Sequence, residues 1–347
     1  MSTIFEEDLK SISDEIVKLG IIHKTIFLTG ATGLVGSAIA KGILYSNQYG
    51  ADNRVVALIR NEDKANWIYK EYIGDNHLTL IKGDVNQPFK YNGGVDYIIH
   101  TASETKSKNM VTRPVETLWT SVNGTKNVLD FAVEKKAKGV VYLSSMEVYG
   151  ITDSEKHQIK EDDLGYIDVS NIRSCYPESK RLSENMCACY ASEYGLNVIS
   201  ARLAQTFGAG VSKEESRVFA QFAKSAINGE DIVLHTEGKS YGNYVYLADA
   251  VRGIFTLLAK GERGQAYTIV NPSTTMQIRE MAGMVAHDLA DDKIKVVFDI
   301  PEGNKFGYAP DVTMHLNADK MEGLGWKPRY GLLDMYKRMI RYWEEQE

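Results

Sequence analysis

Thr29-Gly30-Ala31-Thr32-Gly33-Leu34-Val35-Gly36 follows directly on the apolar run Ile26-Phe27-Leu28. A short apolar strand, a glycine-rich turn and an apolar helix over 35–45 together form a receptor for a dinucleotide pyrophosphate. Gly30 permits the tight turn that leaves the strand. Gly33 lets the backbone approach the pyrophosphate, and Gly36 lets the helix lie close to the sheet. The first-turn amides of that helix point at the phosphates, so Thr32, Leu34 and Val35 join the glycines as cofactor-binding residues.

Outward from this stretch the chain alternates. Strands are expected at 55–59, 78–81, 95–100, 140–144 and 198–201, with helices at 115–134 and 176–194. Continuous apolar strands alternating with helices predict an α/β fold, a doubly wound parallel sheet covered on both faces. Ligands of such sheets lie beyond the carboxyl ends of the strands. The second strand ends at Ile59-Arg60-Asn61, with no acid to hold ribose hydroxyls, so Arg60 favours NADP over NAD. Asp84 and Val85 follow the third strand, where Asp84 can accept from an adenine amino group. Thr101, Ala102 and Ser103 end the fourth, where backbone lines the cofactor.

The second informative segment is Tyr176-Pro177-Glu178-Ser179-Lys180, preceded by Val140-Val141-Tyr142-Leu143-Ser144-Ser145. Pro177 suits a first helical turn, which puts Tyr176 and Lys180 on one face, one turn apart. A lysine charge beside a phenol lowers its pKa, and a tyrosinate can then take the proton of a substrate hydroxyl as hydride leaves the carbon. Ser145 would hold the same oxygen. A tyrosine–lysine pair at this spacing is by itself an ordinary surface-helix feature. The serines ending a central strand and the glycine loop upstream lift it above that.

The 347 residues are 44% hydrophobic and 25% charged, with a net charge of −6, which speaks against nucleic acid or an anionic membrane as the main partner. The three cysteines, Cys175, Cys187 and Cys189, form no disulfide framework and no metal-ligand spacing, so reduced thiols, a cytoplasmic location and no metal are expected. No segment reads as a signal peptide or a membrane span. Three divisions are expected: a helical extension at 1–23, an NAD(P)-binding Rossmann domain at 24–206, and a substrate-binding lobe at 207–347. A segment near 243–260 is expected to return to the Rossmann domain.

With these motifs in hand, the chain resembles an extended short-chain dehydrogenase/reductase of the nucleotide-sugar epimerase/dehydratase family. The matching residues include the glycine loop, Gly83-Asp84-Val85, His100-Thr101-Ala102-Ser103, Asn123-Gly124-Thr125, Tyr176 with Lys180, Thr206-Phe207-Gly208 and Leu324-Gly325-Trp326-Lys327-Pro328. The resemblance implies a Ser145, Tyr176 and Lys180 triad, a nucleotide-sugar substrate, a transient ketone, and a homodimer built through two long helices per subunit. Ser145-Met146-Glu147-Val148-Tyr149-Gly150 is most similar to UDP-glucuronate decarboxylases, with Glu147 at the acid position. Dehydratases carry an aspartate where this chain has Met146.

Three departures bear on the substrate. The family arginine seven residues before the aspartate matching Asp249 is Gly242 here. A second arginine is missing around Met314 and His315, and the usual asparagine is Gln205. Arginine binds phosphate in a bidentate manner, so these losses change the chemistry of the site. Arg217, Lys213 or Lys239 could replace them, and Ser145, Gln205 and Arg217 are the expected substrate-binding residues. Two other readings remain open at this level: an NADPH-dependent reductase of a small carbonyl compound, and a cofactor-sensing binding protein without turnover.

Overall fold

The computed structural model describes residues 2–153, 157–301 and 312–346, so Met1 and Glu347, the outer ends of the expected divisions, lie outside them. In chain order the main elements are α1 (Thr3–Lys18), β1 (Thr25–Thr29), α2 (Leu34–Ser46), β2 (Arg54–Ile59), α3 (Glu62–Ile68), β3 (Leu78–Lys82) and β4 (Tyr97–His100). They continue with α4 (Ser107–Thr112), α5 (Pro114–Lys135), β5 (Gly139–Ser145), α6 (Cys175–Glu193), β6 (Val198–Leu203), β7 (Gln205–Phe207), α7 (Val218–Asn228) and β8 (Ile232–Leu234). The chain closes with β9 (Tyr241–Tyr246), α8 (Leu247–Lys260), β10 (Ala266–Ile269), β11 (Asn271–Gln277), α9 (Ile278–Met284), β12 (Val296–Phe298), α10 (Asp319–Gly323) and α11 (Leu332–Glu344).

Seven strands form one sheet in the order β10-β6-β5-β4-β1-β2-β3, and every pairing in it is parallel. The fold is therefore the doubly wound α/β arrangement, with its topological switch point between β1 and β4. Helices α2 and α8 pack together on one face of the sheet, and α5 and α6 on the other. The strands are apolar at nearly every position because both faces are buried. The fourth strand begins at Tyr97 rather than 95 because Asp96 turns its carboxylate into caps: one oxygen accepts from the Thr25 amide (2.9 Å), the other from Lys138 Nζ (2.8 Å).

A three-stranded sheet, β11-β9-β7, and a two-stranded one, β12-β8, complete the architecture. The return to the main sheet is made by α8, which packs on β5 and β6, and by β10, which pairs with β6. Of the segment expected to return, near 243–260, α8 lies on the main sheet while β9 stays in the three-stranded sheet. Strand β11 is not visible in the sequence because Asn271-Pro272-Ser273-Thr274 has turn composition, and its pairing with β9 shifts register between Asn271 and Met276.

Asp249, in the first turn of α8, gathers distant chain. Its carboxylate accepts from the amides of Arg329 (2.7 Å) and Tyr330 (3.2 Å) and from Arg252 Nη1 (2.7 Å), while its carbonyl accepts from Trp326 Nε1 (3.0 Å). This explains the Leu-Gly-Trp-Lys-Pro motif as a structural clasp.

The extension α1 is more than a surface helix. It packs on α2, α8 and α11, and Ile12 sits against Gly42 of α2, where a Cβ would collide with it. Arg252 lies 3.6 Å from Glu15 of α1, and Arg338 of α11 donates to Asp8 (2.8 Å). Burial pushes the Asp8 carboxyl up to about 6, against the pull of Arg338 and the Tyr246 hydroxyl. Because Ile12 is buried against the helix that carries the glycine loop, Ile12→Ala should lower unfolding free energy by about 2–5 kcal/mol in a denaturant titration. A loss below about 1 kcal/mol would mean that α1 docks loosely.

Candidate active site

The glycine loop closes at the switch point. Gly30 has φ +68°, a conformation that disfavours a side chain, and a Cβ there would collide with Thr101 Oγ1 and lie 2.6 Å from the Ala102 amide nitrogen. A Cβ on Gly36 would strike the Gly30 carbonyl, so helix and turn are in backbone contact. Gly33 caps α2, and its amide donates to the Gly30 carbonyl (2.9 Å). Thr101 Oγ1 donates to the Thr29 carbonyl (2.8 Å), and the Ala102 amide to Thr29 Oγ1 (3.3 Å). Gly30, Gly36, Thr101 and Ala102 thus form one contact, with Leu34 and Val35 in the first turn of α2, Thr32 half-buried at the turn and Ser103 just beyond. A cradle with no room for a Cβ, opening onto helix amides, fits a dinucleotide pyrophosphate.

Beneath the cradle, His100 is buried with Nδ1 2.7 Å from Thr29 Oγ1 and Nε2 3.3 Å from Thr125 Oγ1. Burial first, and the Lys180 charge second, push its pKa down to about 3, so the ring is neutral. At the far end of the cradle Arg60 is 74% exposed, with Nη1 4.0 Å from Asp84 Oδ2. Asp84 Oδ1 accepts from the Asn86 amide (2.9 Å), and the buried Val85 packs against Gly124 and gives its carbonyl to Asn127 Nδ2 (2.6 Å).

Ser145 ends β5, and Tyr176 and Lys180 occupy the first two turns of α6, which packs on β5. Lys180 Nζ is buried and donates to the Leu143 carbonyl (2.6 Å), 4.8 Å from the Tyr142 ring centre and 5.9 Å from that of Tyr176. Burial pushes Lys180 down to about 8, with Glu184 and Cys187 acting in the opposite direction. Glu184, one turn further along α6, is clamped by Arg202 through Nε (3.0 Å) and Nη2 (2.7 Å).

The phenol departs from the expectation that the lysine depresses its pKa. Burial, then the Glu147 charge, hold Tyr176 well above the usual range, while the Ser145 hydroxyl and the charges of Arg173 and Arg217 pull it down. Lys180 stands beside the ring with its ammonium turned to Leu143, so in this state the phenol keeps its proton. Glu147 is also paired: Arg173 Nη2 donates to Oε1 (3.0 Å) and lies 2.9 Å from Oε2. Arg173 was not anticipated, although a cation three residues before the tyrosine is a readable signal. Glu184 was missed for a similar reason, its signal being the four-residue spacing from Lys180.

Arg217 caps α7, with Nη2 on Glu215 (2.7 Å), and is close enough for its charge to act on Tyr176. Gln205 lies on β7 opposite Tyr244. At 242, where the arginine is absent, a Cβ would collide with the Tyr244 hydroxyl end, on a side chain that is buried. Met314 is buried, and His315 packs on Tyr241 with ring centres 4.5 Å apart. Lys239 pairs with Glu237. The described residues hold no group of three or more His, Cys, Asp or Glu side chains suited to a metal. The three cysteines are free. No described helix is long and apolar enough to cross a membrane.

With this geometry in view, the model of the NAD dependent epimerase/dehydratase family matches residues 26–271. UDP-glucuronic acid decarboxylase 1 of Danio rerio is 29% identical over 327 residues, covering 93% of this chain and 73% of that protein. Among solved structures, epimerase Mth375 of Methanothermobacter thermautotrophicus superposes with a TM-score of 0.78 at 23% identity, over 96% of both chains. DesIV of Streptomyces venezuelae, a dTDP-glucose 4,6-dehydratase solved with NAD bound, superposes at 0.75 and 24% identity over 92% of this chain and 97% of its own. Both likenesses bear on the fold.

Two outcomes follow from the cradle. Gly30→Ala should abolish dinucleotide binding in calorimetry while circular dichroism stays that of the folded protein. Because the His100 pKa falls below its unfolded value of 6.5, its contribution to stability is complete above pH 6.5 and is lost as pH falls toward 3. The slope should reach about 1.4 kcal/mol per pH unit in acid titrations, and His100→Asn should flatten it.

Proposed function

The chain belongs to the NAD dependent epimerase/dehydratase family, and on that premise we propose an enzyme acting on a nucleotide-activated sugar through a transient ketone. The supporting observation is the convergence of Ser145, Tyr176, Lys180 and Glu147 at the carboxyl end of β5, in the same sheet whose switch point carries the glycine cradle. A bound nicotinamide would supply the acceptor for a hydride from the sugar carbon, C4 in this reading, and the donor that closes the cycle. Ser145 holds the reacting hydroxyl. Tyr176 accepts its proton as hydride leaves and gives it back at the end. Lys180 fixes the local charge, and an oxidised nicotinamide would add positive charge against the burial that holds the phenol up. Glu147 handles a proton at the carbon next to the ketone.

Among the possible net reactions we favour decarboxylation of a nucleotide uronate. The relative from Danio rerio is a UDP-glucuronic acid decarboxylase, and Met146 replaces the dehydratase aspartate. Arg217 takes the diphosphate in place of the missing arginines, with Gln205 beside the sugar, and residues from 207 onward form most of the substrate lobe. Arg60 reaches the 2′-phosphate of NADP. The exposed Val115, Trp119 and Leu182 on α5 and α6 suit a homodimer, and the free thiols suit the cytoplasm.

The test is a panel of nucleotide sugars incubated with protein and cofactor and read by mass spectrometry. UDP-glucuronate should lose the mass of carbon dioxide, and Tyr176→Phe should lower turnover by roughly 100- to 10,000-fold with cofactor binding intact. An unchanged rate in that variant would remove Tyr176 from the mechanism. Arg60→Ala should weaken NADP by roughly 10- to 100-fold, the scale of a charged hydrogen bond, while leaving NAD unaffected. Equal losses for both dinucleotides would count against the NADP preference.

A further inference from the structure

The ion pair of Glu147 and Arg173 is built from both sides. The Glu147 amide donates to Ser145 Oγ (3.2 Å), which fixes the acid relative to the strand end. The Arg173 amide donates to Asn171 Oδ1 (2.9 Å), and the neighbouring Ser174 Oγ donates to the Asp168 carbonyl (2.6 Å), which fixes the loop ahead of α6. The guanidinium then lies 5.7 Å from the centre of the Tyr176 ring, and a single nitrogen, Nη2, reaches both Glu147 oxygens. The two side chains are 32% and 37% exposed, so they stand where the buried phenol opens toward solvent.

A glutamate has three side-chain torsions and would sample many positions at such a rim. Here it is pinned in one. Its charge opposes ionisation of Tyr176, and that of Arg173 favours it. The pair therefore keeps a carboxylate close to the reacting oxygen without leaving its charge uncompensated against the phenol. Arg217 is the other cation acting on Tyr176, and Cys175 also faces the pair electrostatically.

We propose that Arg173 is a positioning residue for Glu147, holding its carboxylate near Tyr176 for proton exchange at the carbon adjacent to the transient ketone. The inference rests on the nucleotide-sugar reading above. In the exchange, Glu147 takes a proton from solvent at the half-exposed rim and passes it to the enolate left when carbon dioxide departs. The electron pair of the enolate forms the new C–H bond, and the carboxylate is regenerated and again paired with Arg173. Where a C–H bond breaks instead, the proton passes to Glu147 and its electron pair moves into the ketone.

The experiment mixes wild type, R173Q, R173K, E147Q and the R173Q/E147Q double variant with oxidised cofactor and UDP-glucuronate or UDP-glucose in single turnover. Reduced nicotinamide is followed by absorbance and product by mass. R173Q, which leaves the Glu147 charge uncompensated against Tyr176, should slow cofactor reduction only several-fold, accumulate reduced cofactor, and form product roughly 100-fold more slowly, the scale of a lost acid–base group. R173K should recover part of the loss, and the double variant should be no slower than E147Q. Equal slowing of both phases in R173Q, or additive losses in the double variant, would overturn the positioning role. A wild type that reduces cofactor with neither sugar would overturn the nucleotide-sugar reading and the inference with it.

Discussion

An ammonium taken out of water costs several kcal/mol unless its hydrogens find partners, and the buried Lys180 finds one in the Leu143 carbonyl at 2.6 Å. That bond ties the second turn of α6 to the central strand β5. Once it is made, the first turn of α6 has little freedom, and Tyr176 is set beside Ser145. The Arg202–Glu184 pair works on the same helix from below, fixing it to β6 and placing a carboxylate whose charge offsets the desolvation of Lys180. The site's geometry is thus an outcome of where one charge can be buried.

The sheet supplies the rest of the frame. Parallel strands covered on both faces leave their carboxyl ends as the place where polar backbone and side chains can meet a ligand. The threonine contacts between the ends of β1 and β4 draw these strands together around Gly30, and neutral His100 fills the space behind them. The cradle and the Ser145, Tyr176 and Lys180 side chains are therefore parts of one layer. The smaller sheets carry Gln205 on β7, and α7 carries Arg217 toward Tyr176.

Much of this was legible in the sequence because the responsible signals are local. The glycine turn, the unbroken apolar strands and the Tyr176 to Lys180 spacing each act within a few residues, so the doubly wound parallel sheet and the placing of Tyr176 and Lys180 on one helix could be anticipated. What could not be read depends on distant partners. The pairing of Glu147 with Arg173 joins two loops 26 residues apart in sequence. The upward push on Tyr176 comes from burial that no local pattern encodes, and β11 is a strand only because β9 offers it hydrogen bonds. The missing arginine at 242 was visible, but the Tyr244 side chain that fills the space beside it was not.

The proposed chemistry is a redox cycle that closes within one turnover. UDP-glucuronate carrying deuterium at carbon 4, converted by the protein with cofactor present, tests it directly. The label should return to carbon 4 of the product, leaving no deuterated cofactor in solution. Deuterium released on reduced cofactor, in step with oxidised sugar, would contradict the cycle and describe a net dehydrogenase instead.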